Sequence, residues 1–460
     1  MSFPVSVPLR ESPDLAAIAS ARPDQYPFLL ESAAGGPLDR YSLLLRYTGE
    51  SLRLEADGGL TGPGRGSSFL ERLAEWYASL TIVDDAGPSL PFVGGWFLYL
   101  GYELVGEIEP TLALPAAGDG LPVAVAARCD AAVIIRHNPD DGAGDTAWLV
   151  AEDEAVMQQM EEELFGIDRD TTAALTALDD LQAEPAAVFE HSVERIKDYL
   201  LAGDVFQVNL SRGWSGHFTP NRDPVRLYRS LRAANPAPFG GFMLLEDLAL
   251  LSSSPERLVE VRGRFVQTRP IAGTHPRGQT DEDDRRLSEA MLAHPKERAE
   301  HIMLIDLERN DLGRVCEAGS VEVDELMVLE TYAHVHHIVS NVRGTLRDGI
   351  RPVDVIRAVF PGGTITGCPK VRCMEIIAEL EGVGRGFYTG SMGYLDRRGH
   401  MDLNILIRSM LLTPDRLSFR TGAGIVADSD PRREVAETVH KARGLLAALG
   451  GSSLASEEAH

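Results

Sequence analysis

The chain has 460 residues, with 44 Lys and Arg against 69 Asp and Glu and a net charge of −25. A chain this acidic repels phosphate backbones and anionic lipid, so nucleic acid and membrane surfaces are excluded as partners, while a few converging basic groups can still hold a small anion. The four cysteines, Cys129, Cys316, Cys368 and Cys373, contain no CxxC pair, and the 44% hydrophobic content suffices for a large core; together these point to a cytoplasmic, reducing setting.

The N-terminus places Arg10 and Glu11 where a signal peptide would carry its apolar core, and no apolar run approaches the ~18 residues of a membrane span. Strands are predicted at 41–47, 92–99, 131–136 and 146–151, with a helix at Phe69–Leu80. From Glu152 to Glu190 the composition turns acidic, with Glu161-Glu162-Glu163 and one base, Arg169. This stretch reads as an exposed helix and a solvated connector; an acidic partner-binding surface is the other account, and charge runs more often simply face water. A boundary near 175–188 divides an N-terminal domain, 1–175, from a C-terminal domain, 188–450. Ser192 is expected to cap the next helix, with Val193, Ile196 and Leu200 on one face and Gly203 as its stop. A strand at 205–211 would place Phe206, Val208 and Leu210 on one face and Gln207, Asn209 and Ser211 on the other. Further strands are expected at 248–253, 258–261 and 264–268, and helices at 283–292, 295–307, 369–381 and 431–446. Strands in groups with single helices between them indicate an α+β architecture with antiparallel sheets.

Several constellations could carry chemistry. In the helix from Pro295, Glu297, Glu300, His301 and Leu304 share one face; in the last helix Glu434, Glu437 and Lys441 repeat the spacing. Two such helices could meet over one divalent cation, and Mg²⁺ accepts one or two carboxylates while keeping waters and substrate oxygens. Glutamates at this spacing are also common on wet helix faces, so spacing alone leaves both accounts open. The glycine-rich Phe360-Pro-Gly-Gly-Thr-Ile-Thr-Gly-Cys-Pro-Lys370 opens a helix and could hold an anion, or be an ordinary turn; it lacks the Gly-Lys-Ser/Thr of a nucleotide loop. Gly422-Ala-Gly424 is a second small-residue turn. Glu256, between two strands, could act as a general acid if its pKa is raised. His334, His336 and His337 cluster without the partners that zinc requires.

Taken together, Gln207-Val-Asn-Leu-Ser211, Ser254-Pro-Glu256-Arg257, Arg269-Pro-Ile-Ala-Gly-Thr274, Lys296-Glu-Arg-Ala-Glu300-His301, Asp306-Leu-Glu-Arg-Asn-Asp-Leu-Gly313, Gly367-Cys-Pro-Lys370, Arg408, Gly422-Ala-Gly424 and Glu434-Val-Ala-Glu437 resemble the chorismate-utilising enzymes. These include anthranilate synthase component I, aminodeoxychorismate synthase component I, and the isochorismate and salicylate synthases. Leu29-Leu-Glu-Ser32 is similar to part of their N-terminal domain. The resemblance implies two orthogonally packed antiparallel sheets flanked by helices. It implies Mg²⁺ on Glu300 and Glu437, with Glu297 and Glu434 as further candidates, and Glu256 as general acid. Arg408, Tyr388, Gly422, Ala423, Gly424, Thr274, Thr364, Lys441 and His337 match substrate-contacting positions.

Gln207 stands where the water-using members carry a lysine base; an amide cannot take a proton from water, which leaves ammonia, delivered by a glutamine amidotransferase subunit, as the nucleophile. Ala272 fills the position of the nucleophilic lysine found in many aminodeoxychorismate synthases and so favours anthranilate synthase. Asn209, Phe360-Pro-Gly-Gly, Gly390-Ser-Met-Gly-Tyr394 and Asn235-Pro-Ala-Pro-Phe-Gly-Gly-Phe-Met243 favour the aminodeoxychorismate synthases of para-aminobenzoate and folate biosynthesis. The expectation is therefore aminodeoxychorismate synthase component I, with anthranilate synthase component I as the alternative and an inactive regulatory homologue as the remote one.

Overall fold

The computed structural model describes residues 4–36, 38, 40–82, 89–137, 144–164, 166–167, 179–217, 223–278, 280–293, 295–331 and 335–450. The helix Phe69–Leu80 forms with the expected bounds. Ser68 accepts the Glu71 N–H at 3.3 Å, Glu107 accepts those of Phe69 and Leu70, and Phe69, Leu70, Leu73 and Trp76 are buried on one face. The helix Ala186–Ala202 differs from expectation. It starts after Pro185, and Ser192 lies inside it, donating its hydroxyl to the Val188 carbonyl at 3.1 Å. The apolar stripe explains the difference, because Phe189 extends Val193 and Ile196 backwards by one turn. Gly203 ends the helix at φ +81°, as expected.

The expected acidic connector is partly structured. It contains the helix Glu154–Leu164 and the strand Asp179–Ala183, while 168–178 lies outside the described residues. Glu163 is not a solvated charge. It accepts from the Arg46 guanidinium at 2.8 Å and the Tyr26 hydroxyl at 2.9 Å, so one acid of the run pins the helix to the sheet.

All paired strands are antiparallel. The strand Gln207–His217 pairs with Arg416–Ile425, which continues through Ser409–Leu412 to Leu248–Ser254 and Phe239–Leu245. A second group joins Ser391–Asp396, Met401–Asn404, Arg257–Arg262, Phe265–Thr268 and Val335–Thr345. The chain passes from one group to the other twice: at Pro255-Glu256, between Leu248–Ser254 and Arg257–Arg262, and at 405–408, between Met401–Asn404 and Ser409–Leu412. Such crossings are how corners form between sheets. Strands of the N-terminal half enter both groups, Phe28–Glu31 on Phe239–Leu245 and Gly95–Leu100 on Ser391–Asp396.

Both faces of Gln207–His217 are buried. Val208 and Leu210 pack with Phe189, Val193 and Ile196 under the helices, while Gln207, Asn209 and Ser211 face the other way and are buried too. Phe206 was expected beside Val208, yet it is 69% exposed. It precedes the strand, and its N–H is tied to the Cys368 carbonyl. No helix among the described residues is long and apolar enough to cross a membrane.

Candidate active site

The two crossings bring an acid and a cation together. The Ile405 N–H donates to the Glu256 carbonyl at 3.0 Å, the Ser254 hydroxyl to the Ile405 carbonyl at 2.6 Å, and the Ser253 N–H to the Arg408 carbonyl at 3.1 Å. Arg408 holds φ +51°, an unusual conformation for a residue with a side chain and one seen where neighbouring structure over-determines it. Glu256 is 6% exposed, and its Oε1 has no hydrogen-bond partner among the described residues. Burial pushes its carboxyl up to about 7, against the opposing pull of the Thr364 hydroxyl, the Ile271 N–H, Lys441 and Arg408. A carboxyl group held this way keeps a proton near neutrality and can pass it to a leaving group.

The facing wall is the ladder of Gln207–His217 on Arg416–Ile425, where Gly422 lies opposite Ser211 and Gly424 opposite Asn209. A Cβ on Gly422 would lie 2.6 Å from the Tyr388 hydroxyl and 2.7 Å from the Leu210 carbonyl, so no side chain fits there. One on Gly424 would lie 2.6 Å from Gln207 Nε2 and would have to displace the Gln207 amide. Ala423, between them, is buried. Lys441 donates to the Gly422 carbonyl at 2.9 Å. Gln207 Oε1 and Asn209 Oδ1 are buried without a partner among the described residues, as is Glu256 Oε1. Buried polar atoms are nearly always satisfied, so these orphans around one cleft mark where a polar ligand belongs. The charge beside them fixes its sign: Arg408 and Lys441 call for an anion.

Behind this wall lies a pair that the sequence reading missed. Arg385 and Glu381 bond at 2.7 Å with both side chains 1% exposed. Arg385 also donates to the carbonyls of Asn209 at 2.7 Å and Ile365 at 3.0 Å and stacks over Tyr388, while Glu381 accepts from the N–H and hydroxyl of Ser211. The pair fixes Asn209, the Ile365 turn and Tyr388 relative to one another. An i, i+4 acid–base spacing announces nothing more than a helix surface, so its central role was not readable.

On the third side, Ile271–Pro276 pairs with Val335–Thr345, and Gly273 at φ +67° breaks the register between Ala272 and Thr274. The side chains of Ala272 and Thr274 lie outside the described residues, as does His334. His337 is 2% exposed and bonds to the Gly273 backbone; burial first and Arg408 second push it down to about 3, so it is a neutral ring at pH 7. His336 turns the other way, to Asp284 at 2.9 Å and Thr331. His301, on the expected metal-bearing face, is instead a core residue, fully buried against the Ser340 hydroxyl at 2.6 Å.

Glu300 is partly exposed on the helix Pro295–Gly313, and the half-exposed Glu437 lies 2.7 Å from the Lys441 ammonium that touches Gly422. Glu434 sits in the first turn of the same helix as Glu437, and the side chain of Glu297 lies outside the described residues. Among the described residues no three His, Cys, Asp or Glu side chains converge on one point.

The sequence reading also passed over Glu308, Asp311 and Lys370. Glu308 and Asp311 continue the face of Glu300 and Leu304 by further steps of four and three, a signal that was available. Lys370, 59 residues away, completes the group by bonding Asp311 at 2.5 Å. A cavity of about 440 Å³, partly lined by Leu30, Glu31, Ser32 and Phe239, lies elsewhere; Arg257 turns into it, while its chain neighbour Glu256 is held in the cleft.

The sequence model of the chorismate binding enzyme family matches residues 28–447. Aminodeoxychorismate synthase component 1 of Bacillus subtilis is 50% identical over 261 residues, 57% of this chain and 55% of that protein. Anthranilate synthase component 1 of Thermus thermophilus is 39% identical over 449 residues, 95% of each chain. The crystal structure of anthranilate synthase component I from Streptococcus pneumoniae TIGR4 matches with a TM-score of 0.77 at 32% identity, over 88% of this chain and 91% of that one. The chain belongs to the chorismate binding enzyme family. It is an enzyme that acts on chorismate, and its α+β fold is the one the motifs implied.

Proposed function

We propose that this enzyme is an aminodeoxychorismate synthase component I. Ammonia from a separate glutaminase subunit replaces the ring hydroxyl of chorismate, the enolpyruvyl group stays, and 4-amino-4-deoxychorismate is formed for para-aminobenzoate and folate. The observation that carries the amination is the pairing of Gln207 with Glu256 in one cleft: an amide that cannot activate water, buried beside the glycine wall, and a carboxyl group that holds a proton near pH 7. Arg408, Lys441 and the backbone of Gly422–Gly424 would hold the substrate's carboxylates. Glu300 and Glu437 are the proposed Mg²⁺ ligands; a cation there would offset the charge of a substrate carboxylate.

Asn209, Phe360-Pro-Gly-Gly and Gly390-Ser-Met-Gly-Tyr394 support this member of the family, as does the 50% identity to the Bacillus subtilis protein. Ala272 and the match over 95% of the Thermus thermophilus protein support anthranilate synthase component I as the second reading. Mass spectrometry of the product from chorismate, Mg²⁺ and an ammonium salt separates the two. Aminodeoxychorismate retains the enolpyruvyl group and anthranilate has lost it. Failure to consume chorismate would leave only the regulatory-homologue reading.

A further inference from the structure

A further cavity, of about 260 Å³, takes no part in the scheme above; Gly386, the residue after Arg385, stands in its wall. Three acidic groups line it: Tyr99 from the strand Gly95–Leu100, Glu103 from the short turn Tyr102–Glu107, and Asp119 from the loop before the strand Ala124–Arg136. Gly386 joins them. Its N–H donates to Glu103 Oε2 at 3.1 Å, as the Arg385 N–H does to Oε1 at 2.7 Å, and a Cβ on it would run into Asp119 Oδ2. The Tyr99 hydroxyl and the Gly386 carbonyl lie 3.1 and 3.4 Å from the point where a Cβ on Gly101 would stand, so the phenol belongs to the same cluster.

The carboxyls take their hydrogen bonds from the main chain, Glu103 from Arg385 and Gly386, Asp119 from Leu121 and Phe387; no lysine or arginine side chain pairs with either among the described residues. Burial first, and the neighbouring Asp119, push Glu103 up to about 7, and burial raises Asp119 as well. Tyr99 is fully buried, and its hydroxyl has no hydrogen-bond partner among the described residues. A buried hydroxyl left open between two buried acids is costly unless a ligand completes the group.

The remaining walls select the occupant. Leu112, Leu114, Leu121 and Val123 are apolar and offer a hydrated metal ion no partner. The space is several times the ~30 Å³ that one water occupies in the liquid, so it suits a molecule and not a bare ion. A primary ammonium has three N–H donors, one each for Glu103, Asp119 and Tyr99.

We infer that this cavity is a binding site for a small organic amine, with its ammonium on Glu103, Asp119 and the Tyr99 hydroxyl and its apolar body against the leucines. The site is separate from the chorismate cleft and is independent of which member of the family the enzyme is. Its Arg385–Gly386 main chain is shared with the wall of that cleft, so an occupant bears on the segment that carries Arg385 and Tyr388.

Isothermal titration calorimetry of the full chain at pH 8, above the range in which Glu103 titrates, tests this with benzylamine, its neutral counterpart benzyl alcohol, and ammonium chloride. Benzylamine should give a saturable one-to-one heat, and benzyl alcohol should bind at least about tenfold more weakly, because only the amine meets the charges. Asp119→Asn should weaken benzylamine about tenfold and leave benzyl alcohol unchanged, while Tyr99→Phe, which keeps the ring, should weaken it by less. Equal affinities for amine and alcohol, or an amine affinity unchanged in Asp119→Asn, overturn the proposal. Displacement of benzylamine by saturating chorismate would put the amine in the cleft, and displacement by an equal concentration of ammonium chloride would make this a bare-ion site; either overturns it too. If Asp119→Asn does not fold, the comparison of amine with alcohol on the wild type decides.

Discussion

Glu256→Gln should make the protein more stable in alkali as it loses activity. The carboxyl is raised from 4.5 to about 7 in the folded chain, a shift equivalent to about 3 kcal/mol between its two protonation states. The sign follows from proton counting. Between these values the folded state binds more protons than the unfolded state, so stability falls as pH rises; the handicap is absent well below pH 4.5 and complete above pH 7. Glutamine fills the same space without a charge to bury. The stability of Glu256→Gln relative to wild type should therefore improve by about 2 kcal/mol between pH 5 and pH 8. Guanidinium denaturation at the two pH values, followed by tryptophan fluorescence, measures that difference and cancels any packing cost common to both. The same variant should bind chorismate and lose about 10²–10⁴-fold in kcat, because an amide cannot protonate the leaving hydroxyl. A stability difference that does not widen with pH would refute the buried, protonated carboxyl. An unchanged kcat with a raised KM would make Glu256 a binding group.

Glu300→Gln and Glu437→Gln should each abolish turnover with the fold intact by circular dichroism; more than about a tenth of the activity remaining, a loss of only ~1.4 kcal/mol, would remove that residue from the metal site. Ala272→Lys should form a covalent adduct with the substrate, seen as added mass on the intact protein during turnover, whereas an adduct on the wild type would mean that another nucleophile acts. Arg385→Met leaves Glu381 buried with only Arg420 at 3.6 Å and the two Ser211 donors to offset its charge, so it should lower stability by up to about 3–5 kcal/mol in denaturant titration, and a cost below about 1 kcal/mol would show that the pair does not hold the wall.

Local signals were legible in the sequence where one segment determined the outcome. Phe69–Leu80 has its cap, its apolar face and its end within twelve residues, and the structure reproduces it. Gly203 was equally decisive. Ser192 misled because a serine before an apolar run looks the same whether it starts a helix or lies one turn inside it. Phe206 misled because alternation says which residues share a face and not where the chain reaches the surface. Glu256 could be placed between two strands, but that it turns a corner between sheets depends on pairings with residues about 150 positions later. The same limit hid Lys370 and Arg385, whose partners Asp311 and Asn209 lie 59 and 176 residues away.

The ladders that join the two halves bear on what a shortened gene would produce. Removing the N-terminal half would strip Phe28–Glu31 from Phe239–Leu245 and Gly95–Leu100 from Ser391–Asp396. Every residue of Ser391–Asp396 is buried in the whole chain, as are Phe242 and Met243. Both strands would become unprotected edges with newly bared apolar side chains, the kind that recruits strands from other molecules. Residues 188–450 contain the acid, the cations and the glycine wall, yet as a separate product they would yield inclusion bodies sooner than a minimal enzyme.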